Sequence, residues 1–253
     1  MKALILAEQL KIRSTRTQVA LLLATLAFVP WTAALTIPKE GAENVPVSLD
    51  DPRLLAVAVG NSFGAPLVLM LLLGGVAFTQ EFRYGTVTST YLVEPRRTRI
   101  LVAKWVTLAL VGGVVTTLIL IVSVPFSAAL IGFRGGEVSF GATFWTMTAA
   151  GFVVLPVFGV IGVAIGALVR NQITAVVAVL VWMLALEQLV ITSYPEVGRW
   201  MPGATTFVLL QMGPSIDPDG KLLSASAAAL LLAAYTAVAV LLALRLTPKR
   251  DVL

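Results

Sequence analysis

The sequence has no cysteine and no histidine among its 253 residues. Their absence excludes disulfides, thiol nucleophiles, Ser-His-Asp triads and histidine-ligated metals, and it removes the commonest general base of enzymes. Charged residues are also scarce, because Asp, Glu, Lys and Arg make up only 12% of the chain, against about 25% in a typical soluble domain. We therefore expect no metal site, no catalytic site and no ordinary water-facing surface.

Apolar residues dominate instead: 58% of the chain is hydrophobic and the mean hydropathy is +0.94. A helix needs about 20 apolar residues to cross the hydrocarbon core of a membrane. Six segments meet this requirement, and each is free of charge through its middle except the fifth, which contains Glu187. They run roughly over 18–35, 54–78, 100–131, 143–169, 173–191 and 225–244. The sequence thus predicts an all-α, polytopic membrane protein of one domain, 1–253, with six transmembrane helices.

The basic residues predict the orientation of these spans. Thirteen of the 18 Lys and Arg residues fall before the first span, in every second connection and after the last span. Because Lys and Arg are enriched in cytoplasmic segments, both termini are expected in the cytoplasm. The net charge of +5 is therefore a topology signal, and we expect no nucleic acid as a partner.

Residues 1–17 are patterned as an amphipathic helix. The apolar face consists of Ala3, Leu6, Ala7 and Leu10, and the opposite face carries Glu8, Lys11 and Thr15. This pattern predicts a helix that lies in the membrane interface and leads into the first span. A basic start before an apolar run also fits a cleaved signal peptide, but the basic part is long and already patterned, so we expect the segment to be retained.

The cytoplasmic connection between spans two and three, residues 79–99, reads TQEFRYGTVTSTYLVEPRRTR. It combines arginines with aromatic residues, as protein-binding patches do. A loop that rests on lipid headgroups with aromatic anchors has the same composition. Composition alone leaves both interpretations open.

Within this connection stands the run Glu81-Phe82-Arg83-Tyr84-Gly85-Thr86-Val87, followed by Pro95-Arg96-Arg97 and then by Lys104. This pattern resembles the signature of the type-2 ABC transporter permeases. The resemblance extends to the amphipathic N-terminus with Glu8 and Lys11. It also extends to Gly198-Arg199-Trp200-Met201-Pro202-Gly203, which is similar to a proline-containing stretch between spans five and six of that family.

The resemblance implies a coupling helix within 79–99 that sits in a groove of a separate ATPase subunit. Glu81 and Arg83 would be charged contacts, Phe82 and Tyr84 packing anchors, and Gly85 either the end of a helical turn or a point of close approach. The implied coupling residues are Glu81, Phe82, Arg83, Tyr84, Gly85, Thr86, Arg96 and Arg97. Propensity opposes a helix over the β-branched and polar residues 86–90.

The resemblance further implies the membrane subunit of a bacterial exporter in the cell membrane, with a second permease copy in a dimer. The chain has no G-x-x-x-x-G-K-[ST] phosphate loop, since Gly220-Lys221 is followed by Leu222. ATP and Mg are therefore expected in the partner ATPase. Mostly apolar spans favour a hydrophobic or amphipathic substrate.

A few polar residues fall inside the predicted spans: Asn61, Ser62, Glu187 and Gln188. Spans two and five run in opposite directions, so these residues are expected at a comparable depth near the outer side. One hypothesis is that they border the exit of a substrate path, because spans two and five face the dimer axis in the resembled family. The alternative is that they bond to one another and lock the bundle, or that their polar ends reach the interface.

Two further features concern packing and loops. Gly159, Gly162 and Gly166 recur on span four, which predicts close helix contact within the chain or at a dimer seam. The external segment 192–224 is rich in proline, yet its apolar part 203–212 is too short to span. We expect it to form re-entrant helices at the outer interface.

Other functions stay open on the sequence alone. An ion- or proton-coupled secondary transporter has only Glu187 as an ionisable site within a span, whereas proton relays usually need several. A membrane enzyme lacks a catalytic constellation. A membrane assembly subunit without transport activity is a further alternative.

Overall fold

The structure is a computed structural model that describes residues 1–14, 16–39, 47–212 and 222–247. Within these ranges the chain is helical, with turns and short extended connections and no strand. Thr15 of the predicted amphipathic helix, part of the predicted external segment 192–224 and the basic residues Lys249 and Arg250 lie outside the described residues.

The described helices, in chain order, are α1 (Lys2–Ser14), α2 (Arg16–Thr36), α3 (Leu54–Asn61), α4 (Gly64–Arg83), α5 (Val87–Val93), α6 (Arg97–Phe133), α7 (Ala142–Val169), α8 (Gln172–Val181), α9 (Glu187–Ser193), α10 (Pro195–Gly198), α11 (Pro202–Leu209) and α12 (Ala225–Leu246). A π-helical turn, Trp182–Leu186, joins α8 to α9. One short turn, formed by Ser62 and Phe63, joins α3 to α4.

Five of these helical segments are long and apolar enough to cross a membrane. They are Leu54–Arg83, Arg97–Phe133, Ala142–Val169, Gln172–Ser193 and Ala225–Leu246. They coincide with predicted spans two to six, so the chain is a multi-pass membrane protein. The first predicted span, 18–35, lies in α2, whose part Leu26–Thr36 is a shorter apolar helix. As a membrane crossing, that span stays a prediction, and so does the orientation.

α6 is longer than the predicted third span. Its 37 residues correspond to about 55 Å, whereas the hydrocarbon core is about 30 Å thick. The helix therefore extends several turns beyond the core, and its first turns stand at the predicted cytoplasmic end beside α5.

The centre of the bundle is the contact between α4 and α7. A Cβ atom built on Gly162 would overlap the carbonyl oxygen of Leu71, and one on Gly74 would overlap that of Gly159. Gly166 lies equally close to the backbone of Gly75, where a Cβ would be 2.6 Å from the carbonyl oxygen. The glycines of α7 therefore let two backbones touch. They pack within the chain, which was one of the two predicted alternatives.

α6 joins this centre by a second close approach. A Cβ on Gly112 would lie 2.6 Å from the backbone nitrogen of Pro156 in α7. Nearby, the buried hydroxyl of Thr116 donates a 3.0 Å hydrogen bond to the carbonyl oxygen of Gly151. These contacts hold α4, α6 and α7 as one unit, around which the functional residues are arranged.

Candidate functional site

α4 ends in a glycine turn that directs the chain into α5. The amide of Thr86 donates to the carbonyl of Glu81 at 3.0 Å, and the amide of Gly85 to that of Phe82 at 3.3 Å. This is the Schellman pattern, which needs a left-handed residue after the helix. Gly85 supplies it with φ +67°, and a Cβ there would meet nothing within 4 Å. Gly85 therefore ends a helical turn, and its role as a point of close approach for a partner stays a prediction.

The helix expected from the resemblance is present as α5, against the propensity of its residues. The hydroxyls of Ser89 and Thr90 donate to the carbonyl of Thr86 at 2.9 and 3.1 Å. Val87 is buried against the bundle. The hydroxyls thus find acceptors within the helix. The packing of Val87 outweighs the extended conformation that β-branched residues prefer, since tertiary contacts override propensity.

α5 exposes apolar side chains at its far end. Leu92 is 79% and Val93 83% exposed, and Tyr84 just before the helix is exposed as well. Tyr84, Thr86, Leu92, Val93 and Arg96 are all exposed. We call them the coupling surface, after the role that the resemblance predicts for this segment. Clustered exposed apolar side chains mark surfaces that contact either a protein or a membrane, so both interpretations of this connection stay open.

Behind α5 lies a cluster of four charges from three helices, which we call the charge cluster: Glu8, Lys11, Glu81 and Lys104. Lys104 is fully buried. Its Nζ donates to Glu8 Oε2 at 2.7 Å, to Glu81 Oε1 at 2.8 Å and to the carbonyl of Ala77 at 2.9 Å. Lys11 Nζ contacts Glu8 Oε1 and Glu81 Oε1, both at 2.7 Å.

The charge cluster ties α1, α4 and α6 together. Burial lowers the pKa of Lys11, but hydrogen bonds and attraction from Glu8 and Glu81 outweigh it and leave that pKa above its usual value. Two lysines and two glutamates balance in charge, which is the condition for burying ions. The sequence patterns contain all four residues but do not indicate that they form ion pairs with one another. Lys104 could have indicated these ion pairs, because a lysine buried inside an apolar run requires a carboxylate partner.

The arrangement revises the expectation for Glu81. Its carboxylate faces the charge cluster and is almost fully buried, so it does not lie on the surface where a charged contact to a partner was predicted. Phe82 is half-buried and packs on Phe78, with ring centroids 5.6 Å apart. Arg97 is also half-buried and stacks over the ring of Tyr91 at 5.0 Å. The coupling role of these residues stays a prediction.

The two faces of α1 differ in exposure. Glu8 and Ile12 are buried against the bundle, while Ala3, Leu6, Ala7 and Leu10 are exposed. The apolar face is therefore directed away from the protein, where a membrane interface would cover it. The interfacial position itself stays a prediction.

A cleft of about 280 Å³ opens beside α5, between the end of α4 and the start of α8. We call it the basic cleft; it is lined by Phe82, Arg83, Arg170, Asn171, Gln172 and Ile173. Arg83 Nη1 donates to Gln172 Oε1 at 3.4 Å. Sequence reasoning treated 170–172 as a plain connection and missed this cleft.

Arg170 is the most constrained residue of the basic cleft. It has a left-handed backbone with φ 59° at the end of α7, a conformation that glycine adopts more readily. Its Nη2 donates to the carbonyl of Thr247 at 3.0 Å, and its guanidinium lies 5.5 Å from the centre of the Phe82 ring. The side chain thus links α4, α7 and the end of α12.

Comparison with known families identifies the protein family to which the chain belongs. A family model described as an ABC-2 family transporter protein matches residues 4–186, nearly three quarters of the chain. The chain belongs to the ABC-2 transporter family. The matched range contains the charge cluster, α5 and the basic cleft. A comparison with curated proteins finds no match.

Membership of the ABC-2 family makes the chain a membrane subunit of an ABC transporter, and the family implies an ATPase partner. Such subunits are permeases, which are typically not catalytic themselves. The resemblance drawn from Glu81–Val87 is confirmed at the level of the family.

On the predicted outer side of this ABC-2 permease, Glu187 is buried and binds α11. Its Oε1 accepts a hydrogen bond from the amide of Gly203 at 2.5 Å. Gly203 is the second residue of α11, and the first amides of a helix have no acceptor within it. Glu187 is therefore a cap for α11.

The backbone before Glu187 explains why this side chain points inward. The amide of Glu187 bonds to the carbonyl of Trp182, five residues earlier, within the π-helical turn. Such a turn rotates the following residues relative to a regular helix, and π-helical turns are frequent at functional positions. A periodicity of 3.6 residues does not predict this rotation.

The other predicted path residues of the permease bind different elements. Asn61 Nδ2 donates to Thr36 Oγ1 at 3.0 Å, and the buried Ser62 hydroxyl donates to the carbonyl of Ala58 at 3.1 Å. Gln188 is half-buried. Asn61 thus contacts α2, whereas Glu187 contacts α11. No bond between the two sites is found in the described part of the chain, and the substrate path stays a prediction.

α11 lies between these two sites. A Cβ built on Gly60 would overlap the carbonyl oxygen of Leu210, just after α11, while Glu187 binds the other end. The eight residues of α11 span about 12 Å. The described part of 192–224 contains the short helices α10 and α11. The contacts at both of its ends show that α11 packs into the protein.

Proposed function

We propose that the chain is the permease subunit of a bacterial ABC exporter in the cell membrane. A separate ATPase subunit binds and hydrolyses ATP with Mg, and two permease copies form the path. The substrate is hydrophobic or amphipathic and leaves the cell. In this proposal the coupling surface is the part of the permease that the ATPase holds.

The exposure of Leu92 and Val93 is the observation that carries the proposal. Large apolar side chains on a short helix outside the hydrocarbon core lose free energy in water unless a partner covers them. Tyr84 and Arg96, at either end of α5, are residue types that are enriched at protein interfaces. The surface therefore suits a groove with an apolar floor and a polar rim.

The connections of α5 suit the transmission of force. Three residues join it to α4 and three join it to α6, so a displacement of α5 passes to both spans with little slack. The charge cluster fastens α4, α6 and α1 immediately behind. A rigid unit of this kind can convert closure of an ATPase dimer into a movement of the spans.

On the predicted outer side, α11 can move when the spans move. α11 is fastened at one end by Glu187 and seated at the other on Gly60, so two spans hold it from opposite ends. A relative movement of these spans has to displace α11. We infer that this movement opens the exit.

The proposal is tested with the double variant Leu92→Ser/Val93→Ser. The permease is co-expressed with candidate ATPase subunits and assayed for co-purification and for ATPase activity in proteoliposomes. Loss of both in the double variant supports the proposal, since highly exposed residues contribute little to the fold itself. The matched control is Phe133→Ser, which removes an 89% exposed apolar side chain at the other end of α6.

A double variant that binds its ATPase and supports ATP-driven transport at the wild-type rate overturns the coupling role. Transport that persists without any ATPase, driven by an ion gradient, overturns the class of exporter and indicates a secondary transporter. Stable ATPase binding without transport of any tested compound indicates an assembly subunit.

A further inference from the structure

The guanidinium group of Arg83 lines the basic cleft, and the described residues that line it include no carboxylate. Arg83 is exposed, and its bond to the neutral Gln172 is long, at 3.4 Å. The nearest acid on the same helix, Glu81, is engaged by Lys104 and Lys11. The charge of Arg83 is therefore not neutralised by the acid that precedes it in α4.

The walls of the basic cleft are held in place. Arg170 is fixed by Thr247 and by the ring of Phe82, and the side chain of Asn171 caps α8 by accepting from the amide of Thr174 at 3.0 Å. A preformed cleft loses less conformational entropy on binding. Its volume of about 280 Å³ is near the lower limit of common small-ligand sites, about 300 Å³.

An apolar strip starts at the rim of the basic cleft and follows α8. Ile173 is 72% and Val177 52% exposed, and Val181 continues the same face one turn further. Residues four apart lie on one side of a helix. The strip therefore runs from the cleft toward the middle of the fourth described span, Gln172–Ser193.

We propose that the basic cleft binds the phosphate of an anionic phospholipid from the cytoplasmic leaflet, with one acyl chain along Ile173 and Val177. Guanidinium groups bind phosphate through paired, charge-assisted hydrogen bonds. Basic pockets between transmembrane helices at the cytoplasmic side suit anionic headgroups. A soluble phosphate shares the headgroup chemistry but does not use the strip, which favours the lipid.

The first test titrates the detergent-purified full-length chain with dioleoylphosphatidylglycerol and follows the first bound lipid by native mass spectrometry. Arg83→Ala is expected to raise the apparent Kd about tenfold, since a charged hydrogen bond is lost. The apparent Kd of Arg83→Lys is expected to lie between those of the wild type and Arg83→Ala, because lysine keeps the charge but lacks the planar guanidinium group. The matched control is Arg245→Ala, an exposed arginine in the last turn of α12, with a change below about twofold.

The second test separates the sources of phosphate. Dioleoylphosphatidylcholine is expected to bind more weakly than the anionic lipid, and inorganic phosphate at millimolar concentration is expected not to displace that lipid. Val177→Asn is expected to weaken lipid binding, because the acyl chain then meets a polar side chain.

Three results overturn the proposal. Equal lipid affinity of the wild type and Arg83→Ala removes the site, and equal losses in Arg83→Ala and Arg245→Ala show only diffuse attraction. Displacement of the lipid by inorganic phosphate assigns the cleft to a soluble anion. Unchanged lipid binding with lost ATPase binding in Arg83→Ala assigns it to a carboxylate of the partner protein. The lipid titrations need no ATPase, so their outcome is independent of the proposed export function.

Discussion

Lys104 of α6 donates to Glu81 of α4 at 2.8 Å with no part of the lysine exposed. The two residues stand at the predicted cytoplasmic ends of neighbouring spans, directly behind the helix that presents the coupling surface. The same lysine also forms an ion pair with Glu8 of α1, at 2.7 Å. One ammonium group therefore fixes three helices relative to one another.

Lys104→Met is expected to destabilise the protein strongly. It leaves Glu8 and Glu81 buried with Lys11 as their only remaining cation in the charge cluster, and breaking a buried ion pair costs about 3–5 kcal/mol. The measurement is the thermal unfolding midpoint in detergent, together with limited proteolysis of α1.

The matched control for this variant is Lys11→Met, because Lys11 is partly exposed and its loss is better compensated by water. Glu8→Gln added to Lys104→Met is expected to restore part of the stability, since it removes one unpaired charge. Equal midpoints for Lys104→Met and Lys11→Met contradict the central place of Lys104.

Gly85→Ala is expected to weaken coupling more than folding. A Cβ at this position meets nothing within 4 Å, so its cost is the left-handed backbone alone, about 1–2 kcal/mol. The strain is relieved by a different turn, which moves α5 and the coupling surface. ATPase activity of the assembled transporter and thermal unfolding are measured on the same preparation.

Gly113→Ala is the control for Gly85→Ala. A Cβ there also meets nothing within 4 Å, but Gly113 lies inside α6, where alanine is favoured over glycine by about 0.5–1 kcal/mol. The control is therefore expected to be neutral or slightly stabilising. Similar coupling losses in both variants contradict a specific role for the turn at Gly85.

Gly162→Ala is expected to disrupt the centre of the bundle. The added Cβ overlaps the carbonyl oxygen of Leu71, a backbone atom that has no rotamer to escape into. Overpacking a tight interface costs about 1–3 kcal/mol or more. Size-exclusion profile and unfolding midpoint are the measurements, with Gly113→Ala again as the tolerated comparison. A wild-type midpoint contradicts the close approach of α4 and α7.

The sequence predicts those features that depend on one helix at a time. Hydropathy alone marks the five candidate spans, and the glycine spacing of α7 indicates close packing. The helix after Gly85 is predicted by the family motif against the propensity of residues 86–90, because the packing of Val87 against the bundle is not part of local propensities.

Features that depend on how helices cross are not predicted from the sequence. The bond from Lys104 to Glu8 joins residues 96 positions apart, and the basic cleft joins Arg83 to Gln172 across 89 positions. Neither pairing follows from periodicity. The π-helical turn before Glu187 changes the helical phase, so the face on which that carboxylate lies does not follow from a regular helical period.

Glu187→Ala is expected to loosen α11 without unfolding the bundle. The variant removes the acceptor of the Gly203 amide, and losing a helix cap costs about 0.5–2 kcal/mol. Hydrogen exchange of 203–209 reports the loosening directly. Glu187→Gln keeps an acceptor oxygen for the Gly203 amide, so its exchange rates are expected to lie between those of the wild type and Glu187→Ala.

Glu196→Ala makes the same chemical change on exposed α10, where Glu196 pairs only with Arg199 among the described residues, and it is expected to leave exchange in α11 unchanged. This pair of variants also separates the two roles considered for Glu187. Faster exchange in α11 together with slower transport supports a fastening that controls the exit. Slower transport with unchanged exchange instead places the carboxylate on the substrate path, because a residue that contacts only the substrate has no effect on the backbone of α11 when the substrate is absent.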